Sequence, residues 1–396
     1  MKKALLLFIC CIMLTSCGEK PVIPDETIND SSNENVVQSD ANEMSEKTGD
    51  EAEVFGEIED NSVHDLEYGI INIEENTYDL GLPNDAILLS DSDDKLFYLV
   101  YETIDGVIAS EFYEFDKNSG ENEQIYVVNG NFGVDFAEVY NGELIVSEWD
   151  DTARITLVDR SGAKTLYEYE PTYYPIVTRV DNFLLIEDFV LESDTEGNQK
   201  VISLNLDDNS INVVDEQRYV ATSSEISGIL INNSIRGLNG GVVLEYTTYT
   251  KEGDKGVYLC AYDLKKQELT KLPIEVDDRL FTVVGNEDYV FTSRTEASAE
   301  DNRVGHFYIK TGDSYKKYAV PCVDLSKEIV GAEVLCDRYI YFYLMNGDMF
   351  VLDLKNEDMK MLGESGFVNG YLIKTGDNVL SGIKDGKLIT YTFPTN

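Results

Sequence analysis

The sequence predicts an all-β chain built as a ring of repeated four-stranded units, and three observations predict it. Beyond residue 68 the chain is rich in Tyr, Val, Ile, Phe and Thr, and Asn-Gly and Asp-Gly pairs recur. Long stretches with the apolar period of a helix are hard to find there. One pattern also returns along the chain: an apolar strand, a turn of Asp, Asn, Lys or Gly, then another strand. It reads FYEFDKNSGENEQIYVV at 112–128, ITLVDRSGAKTLYEY at 155–169, VISLNLDDNSINVV at 201–214, LCAYDLKKQELTKLPI at 259–274, HFYIKTGDSYKKYAV at 306–320 and MFVLDLKNEDMKML at 349–362. The turn residues Asp116, Asp159, Asp207, Asp263, Lys310 and Asp353 lie 43, 48, 56, 47 and 43 positions apart. Each hairpin follows another strand pair, such as FAEVY-NG-ELIVS at 136–147. About four antiparallel strands in ~47 residues is the period of a β-propeller blade. A single blade leaves an apolar face bare, and circular stacking buries it.

The elements follow in chain order. Met1-Lys2-Lys3 is a short basic start, and Ala4 to Leu14 (ALLLFICCIML) is an unbroken apolar run. That run is shorter than the ~20 apolar residues a membrane span needs, and it fits the core of a secretory signal peptide. It ends in Leu14-Thr15-Ser16-Cys17-Gly18, which resembles the bacterial lipobox. The resemblance implies a signal peptide over 1–16, diacylglycerol on the Cys17 thiol, and cleavage just before it. A diacylated cysteine holds firmly to a bilayer. The expected location is the extracytoplasmic side of the cell membrane, with the lipid on Cys17 as the membrane contact.

Residues 18 to 67 carry sixteen acids against two bases and almost no aromatics. High like charge with low hydrophobicity does not fold, so 17–67 reads as a lipidated cysteine followed by a disordered acidic linker. The remainder, 68–396, is expected to be the propeller. Its last unit, from Gly366, shows only three strands. The segment GIINIEENTYDLGL at 69–82 is a stray outer strand ahead of the first full unit, and pairing the two closes the ring. The resulting expectation is seven blades, with six and eight as the alternatives.

Charge narrows the partners. The whole chain is formally −44. Residues 68–396 hold 59 acids and 27 bases, about −32, the wrong sign for neutralising phosphates or for lying flat on anionic lipid. No nucleic-acid partner is expected, and a protein, peptide or glycan of the cell envelope is. Once the signal leaves and Cys17 is lipidated, Cys260, Cys322 and Cys336 remain, too few for a disulfide framework. No Cys/His spacing suggests zinc. Asp91-Ser92-Asp93-Asp94 and Asp194-Thr195-Glu196-Gly197-Asn198 come nearest to a calcium loop without completing one. No metal and no cofactor are expected.

FDKNSGE at 115–121 and VDRSG at 158–162 resemble the blades of quinoprotein-type propellers, in which a strand ending in Asp runs into Thr-Gly. The repeat as a whole resembles the degenerate propellers of bacterial surface lipoproteins. The resemblance covers 68–396 and implies architecture alone. Trp149 is the single tryptophan of the chain, so the docking tryptophans of quinoproteins have no counterpart.

If strands run from inside to outside in each blade, tight turns such as Asn141-Gly142 and Asn239-Gly240 gather at one end of the ring. The longer connections 149–153, 171–175, 191–199, 215–225 and 296–302 gather at the other. Long loops on a rigid frame are where function concentrates. The working face is therefore expected there, with Phe132, Trp149, Arg154, Tyr173, Tyr174, Arg218, Tyr219 and Arg279 as candidate ligand contacts. Of two histidines, His64 falls in the linker and His306 on a strand. No P-loop, GxSxG or HExxH motif occurs, and no catalytic residue is assigned. The expected function is non-catalytic binding or scaffolding. The alternative is a carbohydrate-active or lyase-type enzyme, whose carboxylate pair the sequence alone does not single out.

Overall fold

The computed structural model describes residues 57–65, 67–104, 107–129, 133–149, 152–169, 176–191, 196–221, 226–232, 237–249, 255–276, 280–295, 303–320, 329–344, 347–363 and 372–395. These residues form strands and turns without a helix. The protein is an all-β propeller. Its strands pair into four separate sheets of four or five strands and one of fourteen. Within each group, pairing runs antiparallel between chain neighbours, as in Ile87–Asp91, Lys95–Ile104, Val107–Asp116 and Asn122–Asn129.

Alternation along the strands explains why the groups stack. Successive side chains of a strand face opposite sides, and here both sides are apolar. Leu184 and Ile186 enter one core with Ile145 and Ile155 of the preceding group. Phe183 and Leu185, interleaved with them, enter another with Val242 and Leu244 of the following group. The series of shared cores returns to its beginning. Ile383 and Leu388, from the last strands of the chain, pack with Leu88, Leu96 and Tyr98 from the first.

The N-terminal segment supplies edges. Glu74–Asp79 pairs antiparallel with Lys387–Thr392, from Glu74 opposite Thr392 to Asp79 opposite Lys387. It is thus the outer strand of the C-terminal sheet. Upstream, Glu57–Asp65 lies parallel to Ser314–Ala319, and Glu67–Tyr68 lies parallel to Asp358–Gly363. Glu57–Asp65 and the first residue of Glu67–Tyr68 belong to the stretch expected to be linker, and they pair as strands. The cause is local. An outer strand presents a row of unpaired N–H and C=O groups, and backbone pairing takes up a passing segment whatever its side-chain charge. Cys17 and the rest of the expected linker lie outside the described residues.

The turn residues that recur in the sequence are caps. Asp116 Oδ1 accepts the N–H groups of Asn118 (2.9 Å) and Ser119 (2.8 Å). Asp159 does the same for Ser161 (2.6 Å) and Gly162 (3.1 Å), and Asp263 for Lys265 (2.9 Å) and Lys266 (2.8 Å). Such Asx turns explain FDKNSGE and VDRSG by turn chemistry alone. Two register marks shift: the corresponding strands end at Asn205 and Thr311, not at Asp207 and Lys310. Asn205 takes over the capping role, accepting the Asp207 N–H at 2.9 Å. At the hairpin between Gly133–Tyr140 and Glu143–Trp149, Asn141 (φ 51°) and Gly142 (φ 82°) are both left-handed, as a two-residue turn of the tight hairpin type requires.

Asp353 differs from the other caps because it is buried, 1% exposed. Arg338 grips it through Nε (2.9 Å) and Nη2 (2.7 Å), and the Lys355 N–H adds a third bond at 3.0 Å. Burial alone would push this carboxyl up, but the guanidinium and the turn N–H groups hold it below the usual carboxylate range. Asp353→Ala should therefore destabilise the protein by roughly 3–5 kcal/mol, because it leaves a guanidinium facing a hole. Asp116→Ala, which removes a cap outside the core, should cost clearly less. Denaturant midpoints of the two variants check the difference, and equal losses would contradict the assignment.

Candidate functional site

The inner strands of the propeller enclose a cavity of about 500 Å³. Its walls come from Ile87–Asp91, Gly133–Tyr140, Ile176–Val180, Gly237–Leu238, Ile329–Leu335 and Ile373–Gly376, which are distant in sequence and brought together only by the ring. Leu88, Leu89, Leu372 and Ile373 give the cavity apolar patches. Glu138, Asp181, Glu333 and Asp377, against Arg179 and Lys374, give it charge.

Four of these charges fall at similar positions in the repeat. Glu138, Glu333 and Lys374 lie three residues ahead of the turns that begin at Asn141, Cys336 and Asp377, and Arg179 lies two residues ahead of the turn at Asp181-Asn182. Each sits near the end of an inner strand, so together they ring the cavity at its tight-turn end. Arg179 forms an ion pair with Glu138 and donates from Nη1 to the Asp181 carbonyl at 2.8 Å. Asp181 is itself fixed, with φ 54° and a bond from the Gly240 N–H to Oδ2 of 2.9 Å. Lys374 donates to the Val334 carbonyl at 2.8 Å. Glu333 is half-buried in the cavity wall. Burial first, and then the negative charge of Glu138, push its carboxyl up to about 7, against the lowering pull of Lys374 and Arg179.

The sequence placed the working face elsewhere, on the longer connections. Phe132, Tyr173, Tyr174 and Arg279 lie outside the described residues, as does the side chain of Trp149 at the end of its strand. Arg154 is half-buried and bonds Glu148, with Nη2 at 3.0 Å. Arg218 is exposed and pairs with Glu196 at 3.2 Å. Tyr219 is 6% exposed. A side chain on Gly197, its cross-strand partner, would collide with its ring, so Tyr219 packs over a glycine instead of facing a ligand. The structure therefore gathers none of these residues into a site among the described residues. The charged ring was readable in the repeat by aligning the inner strands. AEVYNG, TRVDN, AEVLCD and IKTGD each place one charge just ahead of the turn.

Among the described residues no group of three or more His, Cys, Asp and Glu gathers in a way that would hold a metal. His306 is half-buried on Arg303–Thr311, opposite Thr292 and Ala319, with its ring 6.4 Å from that of Tyr308. Cys260 is buried, and its thiol is pushed up to about 12 by desolvation.

No family model matches the chain, and no curated protein matches it. Solved structures do. The β-propeller domain of the Trilobed protease from Pyrococcus furiosus is similar over 77% of this chain and 95% of that one, at 11% identity and a TM-score of 0.46. An oligogalacturonate lyase in complex with manganese is similar over 83% and 98%, at 11% identity and a TM-score of 0.46. An uncharacterised protein of Listeria monocytogenes EGD-e is similar over 85% and 99%, at 9% identity and a TM-score of 0.43. These likenesses concern the fold alone.

A second raised carboxyl lies between two groups of strands. Glu187 is buried; its Oε1 accepts from Gln199 and its Oε2 has no partner. Desolvation pushes it up to about 7, even with the Gln199 bond acting the other way. A carboxyl whose folded value exceeds its unfolded value holds its proton more tightly in the native state. The stability it contributes is present below about pH 4.5 and is lost as pH rises through about 7. Stability should thus fall between about pH 5 and about pH 8. Glu187→Gln should remove its share, at most on the order of 3 kcal/mol. Denaturant unfolding of both proteins at the two pH values checks this, and an unchanged pH slope in the variant would contradict it.

Proposed function

We propose that this protein is an extracytoplasmic lipoprotein, tethered through lipid on Cys17, whose propeller is a non-catalytic binding module of the cell envelope. The observation that carries the binding role is the cavity. Four charges from four chain-distant inner strands converge on one space, two of them bonded to backbone carbonyls and a third held in an ion pair. A preorganised polar wall of this kind favours recognition at little cost in ordering. The tether rests on Met1–Lys3, the Ala4–Leu14 run and the Leu14–Cys17 tetrapeptide. The longer connections, with Phe132, Trp149, Tyr173, Tyr174 and Arg279, are proposed as the outer contact surface for a protein, peptide or glycan.

We further propose that the ring has seven blades. On this reading the fourteen-stranded sheet is three four-stranded units held together by thin links, with one inner strand split into Ile226–Asn232 and Gly237–Leu238 and with Glu57–Asp65 added at an outer edge. One link is the pairing of Tyr219–Ala221 with Ile226–Gly228, and the other is a single parallel bridge between Gly237 and Gly285. The strand Glu74–Asp79 completes the seventh blade.

One observation favours the alternative of a carbohydrate-active or lyase-type enzyme. Glu333, pushed up to about 7, shares the cavity with Glu138, and a carboxyl poised near neutrality suits proton transfer. Crosslinking in intact cells followed by membrane fractionation separates the readings. The wild-type protein should sediment with membranes and carry a specific crosslinked partner, and Cys17→Ala should shift it to the soluble fraction with the partner lost. Recovery of no partner, together with glycan turnover by the purified protein that Glu333→Gln abolishes, would overturn the binding role.

A further inference from the structure

The charges of the cavity differ in their pairing. Glu138 and Arg179 form an ion pair. Glu333 and Lys374 do not pair with each other. Lys374 spends its reach on the carbonyl of Val334, the residue next to Glu333 in the chain. Among the described residues neither group takes part in an ion pair, and the Glu333 carboxylate accepts no hydrogen bond. Both face the same space.

This arrangement is costly unless something completes it. Charges withdrawn from bulk water are stabilised by pairing and hydrogen bonding. Here the ammonium is bound to the Val334 carbonyl instead. The result is an unpaired carboxyl and an anchored ammonium lining one open, partly apolar space. Resting on the reading of the propeller as a binding module, we infer that this cavity takes a zwitterionic α-amino acid or short peptide. The ligand ammonium is received by Glu333 and its carboxylate by Lys374.

Several features fit that class. The Glu138–Arg179 pair is already satisfied, so it contributes a neutral polar wall and does not compete for the ligand's termini. Leu88, Leu372 and Ile373 offer an apolar surface for a ligand side chain. The volume of about 500 Å³ falls within the ~300–1,000 Å³ typical of small-molecule sites. It exceeds what one amino acid fills, leaving room for a dipeptide or for bridging water. A purely cationic amine would leave Lys374 unmatched, and a purely anionic ligand would leave Glu333 unmatched.

The test is calorimetric titration of the full-length protein with the standard amino acids and with dialanine and dileucine. The best binder is then repeated as its C-terminal amide and as its deaminated acid. The inference expects saturable binding of at least one zwitterion, and a loss of at least about tenfold for each analogue, which surrenders one charged contact. Glu333→Gln should weaken the zwitterion and the amide alike. Lys374→Met should weaken the zwitterion while leaving the amide unchanged. Thermal unfolding of each variant, together with the analogue series on the wild-type protein, separates lost binding from lost folding. Absence of binding by any zwitterion to the folded wild-type protein would overturn the inference, as would an amide or deaminated acid that binds as tightly as its parent. A crosslinked partner still recovered from intact cells would then show that only the ligand assignment had failed, with the binding role intact.

Discussion

Every four-stranded group in this protein is apolar on both faces, and that doubling is the constraint from which the rest follows. Leu184 and Phe183 are adjacent in sequence yet belong to different cores. A group with two apolar faces needs a neighbour on each side, and a row of such groups has two raw ends. A ring removes both. The core that joins Ile383 and Leu388 to Leu88 and Leu96 is where the two ends of the row meet. The strand Glu74–Asp79, laid against Lys387–Thr392, ties the chain's beginning to its end in the same place. Backbone pairing and side-chain packing thus close the structure together.

The cavity is a consequence of that closure. Inner strands that stack around an axis leave space along it, and their residues line the space whether or not they match it. Residues near the strand ends are held by the adjoining tight turns, so a charge placed there is fixed in direction. The pairing of Glu138 with Arg179 and the anchoring of Lys374 on Val334 show such fixing. Glu333 is left unpaired and raised toward neutrality by its surroundings. The same frame therefore supplies stability in its cores and chemical differentiation on its axis.

Much of the fold was legible because it rests on short-range rules. Period-two alternation, Asn-Gly turns and capping aspartates are local, and they announce strands and hairpins residue by residue. The pairing of the N-terminal strand with the last sheet was legible from a deficit: three strands at one end and a stray one at the other. The strands at Glu57–Asp65 and Glu67–Tyr68 were not, since acidic composition speaks about burial and strand pairing is made by the backbone. The axial cavity was not legible for a related reason. Loop length points to residues on the connections, of which Tyr219 is packed over Gly197. The axial charges are scattered through largely apolar strands, and only superposing the repeats reveals that each falls just ahead of a tight turn.

The central claim is that the chain's two ends form one closed ring through the pairing of Glu74–Asp79 with Lys387–Thr392. Amide hydrogen exchange over Lys387–Thr392 tests it most directly, because this strand is interior to its sheet if the pairing holds and an edge if it does not. A closed ring requires slow exchange along Lys387–Thr392, comparable with Val379–Lys384 beside it, and a rise to edge-strand rates when residues 74–79 are deleted. Fast exchange in the intact protein, or protection that survives the deletion, would contradict it.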